Sequence, residues 1–364
     1  MKPDSSRPSW VPENPGREFA TRVRAGVRPA KLAHTGEPRS GRGALDPSRL
    51  AAGVLHGDRT LLARAITLVE SHAPTHRPAA EALLRELTPH AGKALRVAIT
   101  GVPGVGKSSF IETLGMWLCE RKHQVAVLAI DPSSILSGGS LLGDKTRMEK
   151  LSRHPQAFIR PSPTGGTLGG VTRTTRETML CCEAAGYDVV LVETVGVGQA
   201  EVAARAMTDF FLLLALAGAG DELQGLKKGV VELADAVVVN KCDGDNVARA
   251  QAATGQYASV LRQIRPATEG WRAVALGCSA LTGTGVPEIW AVIEKFAAQQ
   301  RASGAFDRRR AAQALGWFED LVWQELRARF QADNAAQERL AAARADVVAG
   351  RLPASLAAKK VFGE

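Results

Sequence analysis

From residue 94 onward, short apolar runs alternate with stretches of helical spacing. The runs fall at 95–100, 125–130, 188–192, 209–215, 236–240 and 272–277. They are nearly continuous in apolar character, as strands buried on both faces are. The expected fold class is therefore α/β, with a mostly parallel sheet covered by helices on both faces. In open sheets of this kind, ligands bind beyond the carboxyl ends of the strands. The polar motifs of this chain fall at those ends.

Both flanks are helical in pattern. Residues 50–58 and 59–70 carry helical spacing, with Leu61, Leu62, Ala65, Ile66 and Val69 on one side and Asp58 or Thr60 as N-cap. A further helix is expected over about 78–87, so that residues 44–93 form an N-terminal helical addition. Near the C-terminus, Ala311, Leu315, Phe318, Val322, Leu326 and Phe330 form a stripe wide for a helix that covers one sheet face. A second pattern, Ala336, Leu340, Ala343 and Val347, stops at Gly350. Residues 301–364 thus read as a helical arm beyond a nucleotide domain at 94–300.

The chemistry centres on Gly101-Val-Pro-Gly-Val-Gly-Lys-Ser108, between the first sheet run and a helical pattern. It fits the phosphate loop G-x-x-x-x-G-K-[ST] at every fixed position. Glycines 101, 104 and 106 allow main-chain N–H groups to turn around a polyphosphate, and the next helix adds its positive end. Contacts are expected from Gly101, Gly104, Val105, Gly106, Lys107, Ser108 and Ser109. Lys107 reaches the outer phosphates, and Ser108 is a magnesium ligand.

Three further segments sit where a nucleotide switch would place them. Asp131-Pro-Ser-Ser134 follows a strand, and an acid there can hold a magnesium-bound water; alternatively, the segment is a plain solvent turn. The run at 188–192 delivers Glu193, with Gly196 three residues on, the spacing by which switches couple magnesium to a γ-phosphate. Because Glu stands where Asp is usual, its longer side chain is expected to act through water. No Gln adjoins Gly196 and the nearest is Gln199, so slow intrinsic hydrolysis is expected. Residues 216–228 form either a mobile charged segment or an ordinary connection.

Asn240-Lys-Cys-Asp243 decides the base. The Asp243 carboxylate accepts from both N1–H and the exocyclic amine of guanine, and adenine offers neither donor. Ser279, Ala280 and Leu281 follow a later strand as a main-chain clamp on the guanine carbonyl, while Asn240 and Lys241 complete the base site. The expected ligands are GTP and GDP with Mg2+.

Composition narrows the partners. The net charge is +9 over 364 residues, but residues 1–43 hold nine Lys/Arg against four Asp/Glu and six of the 18 prolines. More than half of the basicity thus lies in an arm that reads as disordered, and no nucleic-acid partner is expected. No apolar run approaches about 18 residues, so no membrane span is expected. Five cysteines without a C-x-x-C pair and an arm that makes a poor targeting peptide, with no apolar core to it, suggest a reducing, cytoplasmic compartment, an organellar transit role for the Arg-rich arm being the alternative. His72 and His76 are four apart, but Pro74 spoils a shared helical face for a metal.

Together with Gly143-Asp-Lys-Thr-Arg-Met148, Arg160-Pro-Ser-Pro-Thr-Gly, Glu193 to Glu201, Gly218 to Gln224 and Asn240 to Asp245, these motifs resemble the MeaB/ArgK family of P-loop GTPases. The resemblance runs from about residue 45 to the end. It implies a P-loop G domain, with GTP hydrolysis served by Lys107, Asp131, Asp144 and Glu193 and magnesium held through Ser108, Asp131 and Glu193. It implies a chaperone that gates adenosylcobalamin loading and protects or reactivates a cobalamin-dependent acyl-CoA mutase, typically methylmalonyl-CoA mutase. It also implies that the C-terminal arm builds a homodimer and that residues 216–228 are a partner-responsive switch. Ser109 stands where Thr is common and Cys242 where Ala is, and neither touches the expected chemistry. A kinase of a periplasmic amino-acid transport system fits Asn240-Lys-Cys-Asp243 poorly, and a metal-insertion GTPase would carry a His-rich tract or a Cys/His ligand cluster.

Overall fold

The computed structural model of the chain describes residues 46–71, 73–130, 148–161, 168–194, 200–217 and 228–363. The expected basic arm 1–43, and the motif residues Asp131, Asp144, Gly196 and Gln199, lie outside these. Seven strands form one sheet: β1 (Leu95–Gly101), β2 (Val125–Ile130), β3 (Ala157–Arg160), β4 (Val189–Thr194), β5 (Phe210–Leu216), β6 (Ala236–Asn240) and β7 (Val274–Gly277). Their order is β3-β2-β4-β1-β5-β6-β7, and every pairing is parallel. The strand that feeds the phosphate loop is thus central, with β4 and β5 on either side.

Parallel strands need crossovers, and these supply the helices that bury both faces. On one face, α4 (Lys107–Glu120) and α10 (Val286–Ala302) set Phe110, Ile111, Leu114, Ile289, Ile293 and Phe296 against Val97, Ile99, Leu212 and Val238. Phe296 meets both Phe210 and Trp271 edge to face at 5.0 and 5.2 Å. On the other face lie α6 (Leu168–Ala184) and the short α7 (Ala200–Arg205). The remaining sheet helices are α5 (Glu149–Arg153), α8 (Lys228–Glu232) and α9 (Val247–Gln263).

The N-terminal addition comprises α1 (Pro47–Leu55), α2 (Arg59–Val69) and α3 (Arg77–Leu87), which pack on one another and on α6. Asp58 is the N-cap of α2, accepting from the N–H groups of Thr60 and Leu61 at 2.8 and 3.0 Å. At the other end α11 (Ala305–Ala332) is a 28-residue helix, followed by α12 (Asn334–Val348) and α13 (Ala354–Val361).

The root of α11 is fixed by charge. Arg310 donates from Nε and Nη2 to the Asp209 carboxylate at 2.8 and 2.6 Å and also to the carbonyls of Gly92 and Ala94. Asp209 is 2% exposed and accepts from the Arg96 N–H as well. A buried carboxylate with this many donors is fully compensated, so the pairing fixes geometry rather than merely adding attraction. Beyond this root the α11 stripe is open: Leu315, Phe318, Val322 and Leu326 are 40–61% exposed, and Trp323 is 69% exposed. Phe330 leaves the stripe and packs with Leu340 and Leu352 on Ala343, Ala357 and Val361, so the end of the arm folds on itself.

The sequence expectations for β2 and β6 match residue for residue, while β7 starts two residues later than expected. Two elements go beyond the sequence pattern. β3 is four residues long at the sheet edge, too short for a periodic signal, and α13 is an eight-residue helix beyond Pro353. Among the described residues no helix is long and apolar enough to cross a membrane.

Candidate functional site

Three loops converge at the carboxyl ends of β1, β6 and β7, and one side chain joins them. Asn240, 1% exposed, donates from Nδ2 to the Val105 carbonyl at 2.8 Å. Its Oδ1 accepts the Ala280 N–H at 3.0 Å. The amide orientation follows from these partners, a carbonyl on one side and an N–H on the other. Phosphate loop, base motif and Ser-Ala turn therefore form one hydrogen-bonded unit. Thr113 of α4 closes the ring, donating to the Ala280 carbonyl at 2.6 Å.

The glycines explain how the loop fits. Gly101 has φ 150°, and a Cβ there would lie 2.5 Å from the Leu214 carbonyl of β5. Gly106 has φ 94° and would place a Cβ 2.7 Å from Asn240 Nδ2. Both positions combine a backbone that L side chains avoid with a neighbour that leaves no room.

Lys107 opens α4 and folds back, its ammonium donating to the carbonyls of Gly101 and Val102 at 2.8 and 3.3 Å. Burial pulls its pKa below the ordinary lysine value, opposed by the carboxylates of Glu193 and Glu201. Ser108 donates from Oγ to Glu193 Oε1 at 3.1 Å. The contact follows from sheet register, since Glu193 pairs with Ile99 across β4 and β1. One residue on, Thr194 donates to Thr100 at 2.7 Å, a buried hydroxyl pair that sets the two strand ends side by side. A hydroxyl and a carboxylate at this separation are hard oxygen donors suited to a small divalent cation such as Mg2+.

The base side is built by strain and pairing. Lys241 has φ 63°, an unusual left-handed residue, which returns the chain so that the Cys242 N–H meets the Cys278 carbonyl at 2.9 Å. Ser279, fully buried, donates to the Asp243 carboxylate and orients it. Burial pushes the Cys278 thiol up to about 12 and also raises that of Cys242.

Of the residues expected from sequence, the structure brings together Gly101, Val105, Gly106, Lys107, Ser108, Glu193, Asn240, Asp243, Ser279 and Ala280. Gly104 is exposed on the loop with φ 80°, and Ser109 lies on the first turn of α4, also exposed. Lys241 and Leu281 present exposed side chains, Leu281 at 86%. Sequence reasoning missed Thr113 and the Thr100–Thr194 pair. Threonines inside a helix or a strand carry no local mark of such roles, and only the register between β1 and β4 reveals the pair.

Comparison with known proteins agrees with this geometry. The family described as methylmalonyl Co-A mutase-associated GTPase MeaB matches residues 62–335. A probable GTPase of Mycobacterium tuberculosis is 52% identical over 313 residues, spanning 86% of this chain and 93% of the relative. The mitochondrial methylmalonic aciduria type A homolog of Mus musculus is 45% identical over 320 residues, spanning 85% and 77%. The crystal structure of a LAO/AO transport system kinase superposes with a TM-score of 0.72 at 36% identity, covering 89% of this chain and 98% of that one. With its all-parallel sheet, its phosphate loop and a family match over most of its length, the chain belongs to the MeaB family of P-loop GTPases.

Proposed function

We propose that this GTPase is a nucleotide-gated chaperone for a cobalamin-dependent acyl-CoA mutase, controlling adenosylcobalamin loading and protecting or reactivating the mutase. Methylmalonyl-CoA mutase, named in the family description, is the foremost candidate partner. The observation that supports the reading is the Asn240 bridge, which joins the phosphate loop at Val105 and the turn at Ala280 to the Asn240–Asp243 motif in one unit.

In this reading residues 94–300 hold the nucleotide, 44–93 support them and 301–364 pair two copies through the open stripe of α11. Asp243 accepts both guanine donors, steadied by Ser279, while Asn240 and Lys241 frame the base and the main chain of Ala280 and Leu281 faces its carbonyl. Main-chain N–H groups of 104–109 cradle the phosphates, and Lys107 moves from its loop carbonyls to the outer phosphates. Ser108 and Glu193, with Asp131, would hold Mg2+, which when bound offsets charge on the β- and γ-phosphates. Asp144 serves the switch chemistry. Glu193 senses the third phosphoryl group at the end of β4, and the segment that follows carries the change towards the partner.

Affinity capture tests this directly, with the full chain as bait, cobalamin-dependent mutases as prey, and either GDP or a non-hydrolysable GTP analogue present. Nucleotide-dependent retention of one mutase is expected; equal retention or none with both nucleotides overturns the chaperone reading. A kinase acting on a transport system, the activity in the name of the solved relative, would transfer label to a protein acceptor. The proposal expects phosphate released to water alone.

A further inference from the structure

A second cleft, of about 710 Å³, opens at the amino ends of the strands, between α6, the turn from α7 to β5 and the first turns of α11. The seven-residue length of β5, roughly 23 Å, separates this end of the sheet from the phosphate-loop end. Its size is that of a small-molecule site.

What lines it is incomplete in a consistent way. Arg176 Nε, Gln313 Oε1 and Trp317 Nε1 are buried polar atoms without a hydrogen-bond partner among the described residues, and all three belong to this cleft. Native proteins pair such atoms almost without exception, so three together mark a missing partner. Gln313 cannot relieve this by flipping its amide, because its Nε2 already donates to the carbonyls of Arg205 and Thr208 at 3.3 and 2.9 Å.

The charge is equally unbalanced. Arg176 donates to the carbonyls of Ala206 at 2.7 Å and Gln313 at 3.4 Å, and Arg309 donates to the Thr208 carbonyl at 3.1 Å and the Thr268 hydroxyl at 3.3 Å. Neither guanidinium has a carboxylate within ion-pair distance among the described residues, whereas neighbouring Arg205 is paired with Asp235. Asp320 and the exposed Glu269 and Glu319 also line the cleft, and Asp320 partly offsets the charge of Arg176. Burial, aided by repulsion from Arg96 on Arg176 and from Arg205 on Arg309, pulls both down to about 10, and the carboxylates of Asp235 and Asp209 offset this only in part at Arg309. Arg309, Gln313 and Trp317 recur every four residues on one face of α11, and Arg176 lies 5.4 Å from the Trp317 ring.

Two guanidiniums and an indole N–H ask for an anion, while the Gln313 oxygen asks for a donor beside it. We propose that this cleft is a second ligand site, taking a small oxyanion that carries an adjacent hydrogen-bond donor, of the hydroxycarboxylate or hydrogen-phosphate class. Because the ligand would bridge α11 to the turn after α7, it would also brace the root of the C-terminal arm.

The test uses the full chain loaded with GDP and Mg2+, so that the phosphate loop is filled and does not report. Inorganic phosphate and citrate are titrated separately by calorimetry and by 1H–15N spectra of the indole groups, with the Trp317 resonance assigned by its loss in W317F. Saturable binding of one probe at concentrations up to about 10 mM, with a downfield shift of that resonance, is expected, and the better probe identifies the class. Arg309→Gln should weaken it at least tenfold. Gly316→Leu should do the same without removing a charge, since Gly316 lines the cleft and a Cβ there meets nothing within 4 Å. GDP affinity should be unchanged in both variants, which certifies the fold. No saturable binding of either probe, an unmoved Trp317 resonance, or wild-type affinity in the two variants overturns the proposal.

Discussion

Asn240 Nδ2 lies 2.8 Å from the Val105 carbonyl, and through that bond the base-reading motif fixes the shape of the phosphate loop. Asn240→Ala removes it together with the acceptor for the Ala280 N–H, leaving two buried main-chain groups unpaired. The expected cost is about 2–4 kcal/mol of stability. GDP affinity measured by calorimetry should fall with it, by more than for Lys241→Ala, whose side chain is exposed.

Asp243→Asn changes the ligand rather than the fold. An amide donates where the carboxylate accepts, so it matches xanthine, which has a carbonyl in place of the guanine 2-amino group. Guanine nucleotide affinity should drop at least tenfold, from the loss of a charged pairing of about 1.5–3 kcal/mol, while xanthine nucleotide affinity rises. Competition between the two nucleotides for the variant gives the answer, and unchanged guanine preference would contradict the assigned role.

Arg310→Ala leaves Asp209 buried beside the Arg96 N–H with its cationic partner gone. Denaturant unfolding should register a loss of about 3 kcal/mol. Arg329→Ala, which breaks an exposed pair with Glu325 on the same helix, should leave the midpoint unmoved.

The open stripe of α11 predicts self-association. Phe318→Glu with Leu326→Glu puts two charges on a face that is 61% and 50% exposed at those residues. Sedimentation should find a dimer for the wild-type chain and a monomer for the double variant, with GDP binding retained. A monomeric wild-type chain would remove the dimer from the account.

Alkaline pH should loosen the fold. Burial pushes the thiols of Cys181 and Cys278 and the phenol of Tyr187 up to about 12 and Cys119 up to about 11. These groups stay protonated in the native state after the unfolded chain has released their protons, from about pH 9 for the thiols and about pH 10 for the phenol. The unfolded state then binds fewer protons, so stability is complete below about pH 9 and falls as pH rises towards 11–12. Melting temperatures across that range should decline, and Cys181→Ala should make the decline shallower.

The sheet was legible from sequence because six of its strands are apolar runs that leave no competing helical period, as in β2 and β6. β3 escaped since four residues at an edge carry no period. The candidate residues fixed in type and spacing by motifs, Lys107, Ser108, Asn240 and Asp243, are ones that the fold gathers at one end of the sheet. What stayed hidden depends on pairings far apart in the chain: Thr113 against Ala280, Thr100 against Thr194, and the Arg310 clamp on Asp209. In the C-terminal arm, helical spacing gave the stripe, but only the return of α13 assigns Phe330 inward while Phe318 stays outside.

β1 begins beside the carbonyls that hold Arg310 and ends in the glycine that starts the phosphate loop. A single run of seven residues therefore has the moorings of the long helix at one end and the nucleotide cradle at the other. The arm is consequently no detachable appendage. Its first turns are held in rigid registration with that strand, and a chain shortened ahead of the long helix would forfeit a structural tie of the central strand.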